Sequence, residues 1–165
     1  MNTPTSSEST KEPWLPPKWF IHFAWRFHRG LYKVTGGRKG LREPSSDKYG
    51  MMRVTAIGRK SGEPRSVILA FYRDDENLVT LAMNGWDAPD PAWWLNLQAN
   101  PIATVDLDDE QFTVRARAAE GDERERLWDR WRHYDKELDG YAIRRPTETA
   151  VVVLERLADE ERKAG

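Results

Sequence analysis

Between Tyr49 and Leu154 the chain sets short apolar, β-branched runs against clusters of charged and turn-forming residues. Tyr49–Ile57 and Arg65–Arg73 read as strands joined by a glycine-bounded turn, and Asp74-Asp75-Glu76-Asn77 turns the chain into a third strand, Leu78–Met83. A second hairpin, Ile102–Leu107 with Gln111–Ala118, is built around Asp108-Asp109-Glu110, and Ala150–Leu154 is a last strand expected to close the sheet. Asp90 is a natural N-cap and Pro91 a natural first residue for a short helix that runs to about Ala99, where Asn100-Pro101 stops it. Gly121-Asp122 opens a charged helix with Leu127, Trp128 and Trp131 on its inward face. Connections this short imply antiparallel pairing. The expectation is a mainly β, α+β chain: five or six antiparallel strands in a small closed or half-closed barrel, with helices appended.

The first residues follow a different pattern. Residues 1–15 are rich in Ser, Thr, Glu and Pro and read as a disordered tail. From Pro16 a helical period places Phe20, Phe23, Phe27, Leu31 and Val34 on one face and Lys18, His22, Arg26, Arg29 and Lys33 on the other, until Gly36-Gly37 ends it. The predicted organisation is therefore a tail (1–15), a basic amphipathic helix and loop (16–48), a barrel (49–156) and a short C-terminal tail (157–165). No acidic residue occurs from Pro13 to Arg42, and Trp19 and Trp25 lie at the boundary of the two faces. Residues 16–42 thus suit either packing against the barrel, as one wall of an acceptor site, or peripheral contact with an anionic membrane surface.

Composition narrows the classes. A chain of 165 residues, 39% hydrophobic, suits one domain with a real core. Its net charge of −1 argues against a surface committed to nucleic acid. There is no cysteine, so disulfides and thiolate metal sites are excluded, and neither a signal-peptide pattern nor a membrane-length apolar run is present. The expected location is the cytoplasm, with the inner face of the cell membrane as a candidate contact. His22, His28 and His133 lack ligand spacing, so no metal is expected.

Chemistry concentrates in Gly58-Arg59-Lys60-Ser61-Gly62-Glu63-Pro64-Arg65. Two glycines let the backbone turn tightly and expose its N–H groups, while Arg59, Lys60 and Arg65 supply charge-assisted bonds, a combination that reads as an anion clamp. The glycine spacing and hairpin context fit neither a P-loop nor a dinucleotide fingerprint, and no Gly-x-Ser-x-Gly elbow is present, so Ser61 reads as an anion-contacting hydroxyl. Trp93 and Trp94 are adjacent on one helix and cannot face the same way, so one is expected in the core and the other beside a pocket.

The Gly-Arg-Lys-Ser-Gly-x-Pro-Arg turn at 58–65, Pro91-x-Trp93-x-Leu95-Asn96-Leu97, and Ala99-Asn100-Pro101 together resemble the deazaflavin-dependent nitroreductase-like proteins, over about Tyr49 to Glu155. The resemblance implies a split β-barrel of the FMN-binding-like kind and reduced coenzyme F420 as cofactor. It implies that Arg59, Lys60, Ser61 and Arg65 hold the cofactor's anionic tail. Arg65, Ser66, Val67, Ile68, Leu69 and Ala70, with Leu81, Ala82, Met83 and Asn84 and with Ala92, Trp93, Trp94, Leu95 and Asn96, would line its ring and side chain. The implied reaction is hydride transfer to a hydrophobic, electron-poor acceptor such as a quinone, an activated enone or a nitro compound.

Two departures from the family pattern matter. Met83-Asn84-Gly85-Trp86 stands where the family often carries Ser-Lys-Gly-Gly, which removes a cation and adds an indole. The nitroreductase branch covers its substrate with tyrosines, one of them proposed as a proton donor. Here Tyr134 and Tyr141 remain as catalytic candidates, but Leu138 aligns with the central position, so nitroaromatic activation is not carried over. Two other readings stay open at this level: an FMN-loaded reductase on the same barrel, and a non-catalytic module that sequesters F420 or a lipid. The oligomeric state is open as well.

Overall fold

The computed structural model describes residues 40–83 and 89–158. Six strands, β1 (Gly50–Ile57), β2 (Pro64–Asp74), β3 (Asn77–Leu81), β4 (Ile102–Asp106), β5 (Gln111–Ala118) and β6 (Val151–Arg156), form a closed antiparallel barrel in the order β1-β2-β3-β6-β5-β4. The helices are α1 (Ala92–Ala99), α2 (Gly121–Tyr134) and α3 (Leu138–Ala142). Local turns explain the pairings β1–β2, β2–β3 and β4–β5. Closure comes from β1 with β4 and from β6 inserted between β3 and β5, with Val54 opposite Val105, Val79 opposite Val153 and Ala116 opposite Leu154.

Closure divides the apolar residues between two sides of one wall. Met52, Val54, Leu69, Phe71, Leu78, Val105, Val114, Val152 and Leu154 fill the barrel, and Trp94 and Leu97 of α1 join them. On the outer side Tyr72, Val79, Val151 and Val153 pack against Leu127, Trp128 and Trp131 of α2 and Leu138 of α3. Neighbours along β3 and β6 therefore alternate between interior and outer cores, and the run Val151–Leu154 is buried at every position. A strand covered on both faces reads as continuously apolar, which is why periodicity could not orient it.

Several predicted boundaries shift. The third strand ends at Leu81, two residues before Met83, because Ala82 instead donates its N–H to the Ala150 carbonyl at 2.9 Å. The last strand runs from Val151 to Arg156, beyond the predicted Leu154, because β5 offers partners as far as Val114. The Asp90 cap is also corrected. Pro91 is the N-cap of α1 and no side chain caps the helix, because the Asp90 carboxylate accepts from Arg145 at 2.8 Å. The one-turn helix α3 was not predicted, being too short for a periodic signal. The predicted tail over 1–15, the helix from Pro16 to Gly36 and most of the 157–165 tail lie outside the described residues.

A buried polar tie joins the barrel wall to α2: the Tyr72 hydroxyl donates to the Leu127 carbonyl at 2.8 Å. Tyr72→Phe should lower the unfolding free energy by about 1 kcal/mol, the usual net value of such a bond. Urea denaturation should show an earlier midpoint at an unchanged slope; an unchanged midpoint would mean that the bond contributes nothing to holding the helix.

Candidate functional site

The β1–β2 turn is closed by two backbone bonds, from the Gly58 N–H to the Glu63 carbonyl at 2.9 Å and from the Gly62 N–H to the Gly58 carbonyl at 2.8 Å. Gly62 adopts φ +69°, open to glycine at little cost. Gly58 is required by space: a Cβ there would stand 2.8 Å from Ser61 Oγ and 3.2 Å from Arg65 Cγ. The serine hydroxyl thereby stays folded into the turn, where it accepts from the Glu63 N–H at 3.3 Å and from Arg65 Nη2 at 3.4 Å.

Asn96 of α1 reaches this turn from across the barrel. Its Oδ1 accepts from both the backbone N–H and Nη1 of Arg59, each at 3.1 Å, and the residue is only 7% exposed. Asn96 was expected beside the cofactor; its contacts here make it the residue that aims Arg59. Among the described residues no carboxylate pairs with Arg59, Lys60 or Arg65. By contrast Arg53 holds Asp106, Arg73 holds Glu43, Arg117 holds Glu123 and Glu155, and Arg126 holds Asp74. Three neighbouring exposed cations thus share one turn with a single carboxylate, Glu63, that pairs with none of them, a donor set chemically suited to an anion.

From the turn, β2 leads away with alternating faces. Val67, half-buried, and Leu69 and Phe71, buried, belong to the barrel interior, whereas Ser66, Ile68, Ala70 and Tyr72 share the opposite face. Ser66 Oγ lies 2.8 Å from Thr55 Oγ1 on the neighbouring strand. Ala70, Leu81, Met83, Tyr134 and Ala142 are the partly buried residues that pack on the outer core, and they form an apolar ledge along its margin. The step from Arg65 to Ala70 covers about 16 Å of strand at the ordinary rise.

The remaining candidates divide. Leu69, Ala82 and Trp94 lie in the barrel core; Trp93 is half-buried against it, which resolves the tryptophan pair. Leu95 is half-buried and Ala92 exposed at the start of α1, and Asn84 lies outside the described residues. Tyr134 stacks on Tyr72 with centroids 5.8 Å apart and meets Trp131 edge-on at 6.0 Å. Beyond it opens a cleft of about 580 Å³ lined by Glu43, Pro44, Ser45, Ser46, Arg73, Arg130, His133 and Tyr134. Tyr134 therefore borders both ledge and cleft. Tyr141 lies on α3, where burial first, and then the negative charges of Asp135 and Glu137, push its phenol above the ordinary tyrosine range. Burial raises Tyr72 still further, so both phenols are neutral at ordinary pH. Leu138 is buried in the outer core.

Two residues beside the site were missed in the sequence. Tyr72 read only as a strand residue, although its ring forms the floor under Tyr134. Arg145 was assigned no role, yet its side chain is fully buried against Ala82, Asp90 and Thr149. Nothing in local spacing marks an arginine as interior.

Residues 24–156 match the family model described as F420H(2)-dependent quinone reductase. An F420H(2)-dependent quinone reductase of Mycobacterium tuberculosis is 31% identical over 105 residues, covering 62% of this chain and 69% of that protein. Among solved structures, an F420-H2 dependent reductase superposes with a TM-score of 0.59 at 26% identity, over 70% of this chain and all of the other. A chain described as a domain-swapped dimer superposes at 0.62 with 26% identity, over 84% of this chain and all of the other. The chain therefore belongs to the F420H(2)-dependent quinone reductase family and is a deazaflavin-dependent oxidoreductase with reduced coenzyme F420 as its cofactor.

Proposed function

We propose that the clamp turn and the outer-face ledge together hold F420, and that the enzyme reduces a hydrophobic, electron-poor acceptor of the quinone type. The observation that carries this reading is the cation set of Arg59, Lys60 and Arg65, with which no carboxylate among the described residues pairs, and the apolar margin Ala70–Leu81–Met83 farther along the same wall. Those residues fit the group: cations and a turn packed tightly at Gly58 suit an anionic tail, and an apolar ledge suits a planar ring. When bound, reduced F420 supplies the hydride. The chain's own part is placement, exclusion of water by the apolar ledge, and a proton source. Tyr134, between ledge and cleft, and Tyr141, kept protonated by its surroundings, are the candidates for the last role.

A quinone is favoured over a nitro compound or an enone because the relatives are named for quinone reduction and Leu138 leaves no hydroxyl at the position that the nitroreductase branch uses. Family membership also favours F420 over FMN, and catalysis over mere sequestration. Peripheral membrane contact through residues 16–42 is a proposal from sequence alone. Among the described residues no helix is long and apolar enough to cross a membrane.

Hydrogen bonds to charged groups are worth about 1.5–3 kcal/mol, somewhat less where water and salt screen them. Lys60→Ala or Arg65→Ala should therefore raise the F420 dissociation constant about tenfold in a fluorescence titration, and added salt should weaken wild-type binding. Unchanged constants in both variants would remove the clamp from the cofactor site. Tyr134→Phe and Tyr141→Phe should leave that constant nearly untouched, while at least one of them lowers turnover by about tenfold or more, within the range of general acid catalysis. Full turnover by both on every quinone tried would assign the proton to water. Sedimentation with anionic vesicles should pellet the full chain at low salt and release it as salt rises; a protein that stays in the supernatant at low salt does not dock through residues 16–42.

A further inference from the structure

The guanidinium of Arg145 is 0% exposed and lies in the segment between α3 and β6. Its Nη1 donates to the Ala82 carbonyl and to Thr149 Oγ1, both at 2.8 Å, and its Nη2 donates to Asp90 Oδ1 at 2.8 Å. Its Nε is buried without a partner. One side chain therefore joins three pieces of chain: the end of β3, the approach to α1 and the approach to β6.

Burying such a pair is a poor route to stability, since desolvation cancels most of the attraction and an apolar replacement of similar volume is often neutral. The orphaned Nε adds to that cost. What a planar guanidinium supplies, and an apolar chain does not, is a set of bonds in fixed directions. Those directions lead to the two walls of the site. Ala82 lies between Leu81 and Met83 of the ledge. Asp90 precedes Pro91, the N-cap of α1, and α1 carries Asn96, which aims Arg59.

We infer that Arg145, acting through the Ala82 carbonyl and the Asp90 carboxylate, is a positioning residue that fixes the ledge relative to α1 and so presets the distance between ring wall and anion clamp. It touches neither cofactor nor acceptor. The inference rests on the reading that the clamp and ledge hold F420. A site whose two walls are held in place before binding spares the ligand the cost of ordering them, so loosening one wall is read as lost affinity.

The test uses the full chain and compares Arg145→Met, Arg145→Lys and Asp90→Asn with Arg65→Ala. F420 dissociation constants come from fluorescence titration, thermal midpoints from the cofactor-free protein, and amide exchange from the cofactor-free protein at Met83 and at Trp93–Asn96. Arg145→Met should weaken F420 binding about tenfold or more and speed exchange at both walls, with kcat at saturating cofactor changed far less. Arg145→Lys should recover part of the affinity, because it restores the charge but not the forked geometry. Asp90→Asn keeps the volume and one acceptor oxygen, and should weaken binding less than Arg145→Met. It carries the test if the methionine variant fails to fold. Lower thermal midpoints with wild-type F420 affinity would reduce Arg145 to a structural residue and overturn the inference. If Arg65→Ala weakens binding while the Arg145 and Asp90 variants do not, the inference falls and the site stands. If Arg65→Ala also binds as wild type, the site reading itself falls, and the inference with it.

Discussion

The structure depends on closure of the sheet, and closure depends on β6 entering between β3 and β5 with both of its faces apolar. An antiparallel sheet of this size left open would expose two edges and one hydrophobic face. Inserting Val151–Leu154 pairs the two halves and places Val152 and Leu154 inside, with Val151 and Val153 outside. The outer pair then needs a cover, which α2 and α3 provide through Leu127, Trp128, Trp131 and Leu138. Two cores sharing one wall give a small domain more buried apolar area than a barrel interior alone could supply.

That shared wall also explains where chemistry can sit. The barrel interior is filled with side chains, whereas outside it the helical cover leaves Ala70, Leu81 and Met83 only partly buried, which is why the ring wall is proposed there. The charged end of the proposed site lies at the β1–β2 turn, because a tight hairpin can display cations without burying them. Most other described arginines in the strands and helices are already neutralised by carboxylates, as with Arg73, Arg117 and Arg126. The contrast makes Arg59, Lys60 and Arg65 available to a ligand. Asn96 couples the turn to α1, so the helix that contributes to the barrel core also fixes Arg59 of the proposed clamp.

The aromatic cover sets which hydroxyls face outward. Leu138 keeps the outer core packed with a side chain that offers no hydroxyl, so under the proposed function the proton falls to Tyr134 or Tyr141. Tyr134 rests on Tyr72, whose own hydroxyl is committed to the Leu127 carbonyl, so only the upper ring faces the cleft with its hydroxyl uncommitted to that tie.

The strands, their order in the chain, the charged helix with its inward Leu127, Trp128 and Trp131, and the clamp turn were all legible in the sequence, because each is written in residues close together: alternation, turn chemistry and glycine spacing are local properties. The cation-rich composition of Gly58–Arg65, on which the proposed clamp rests, belongs to the same class. What only the tertiary structure decided are the relations between distant segments. These include the pairing of β1 with β4, the insertion of β6, the choice of Trp94 over Trp93 for the core, the bond from Asn96 to Arg59, and the loss of the Asp90 cap to Arg145. Local pattern assigns Asp90 to the nearest N–H groups and leaves Arg145 in water. The folded chain brings them together because a buried guanidinium must find acceptors, and beside Thr149, four positions on, its partners lie 55 and 63 positions earlier in the sequence.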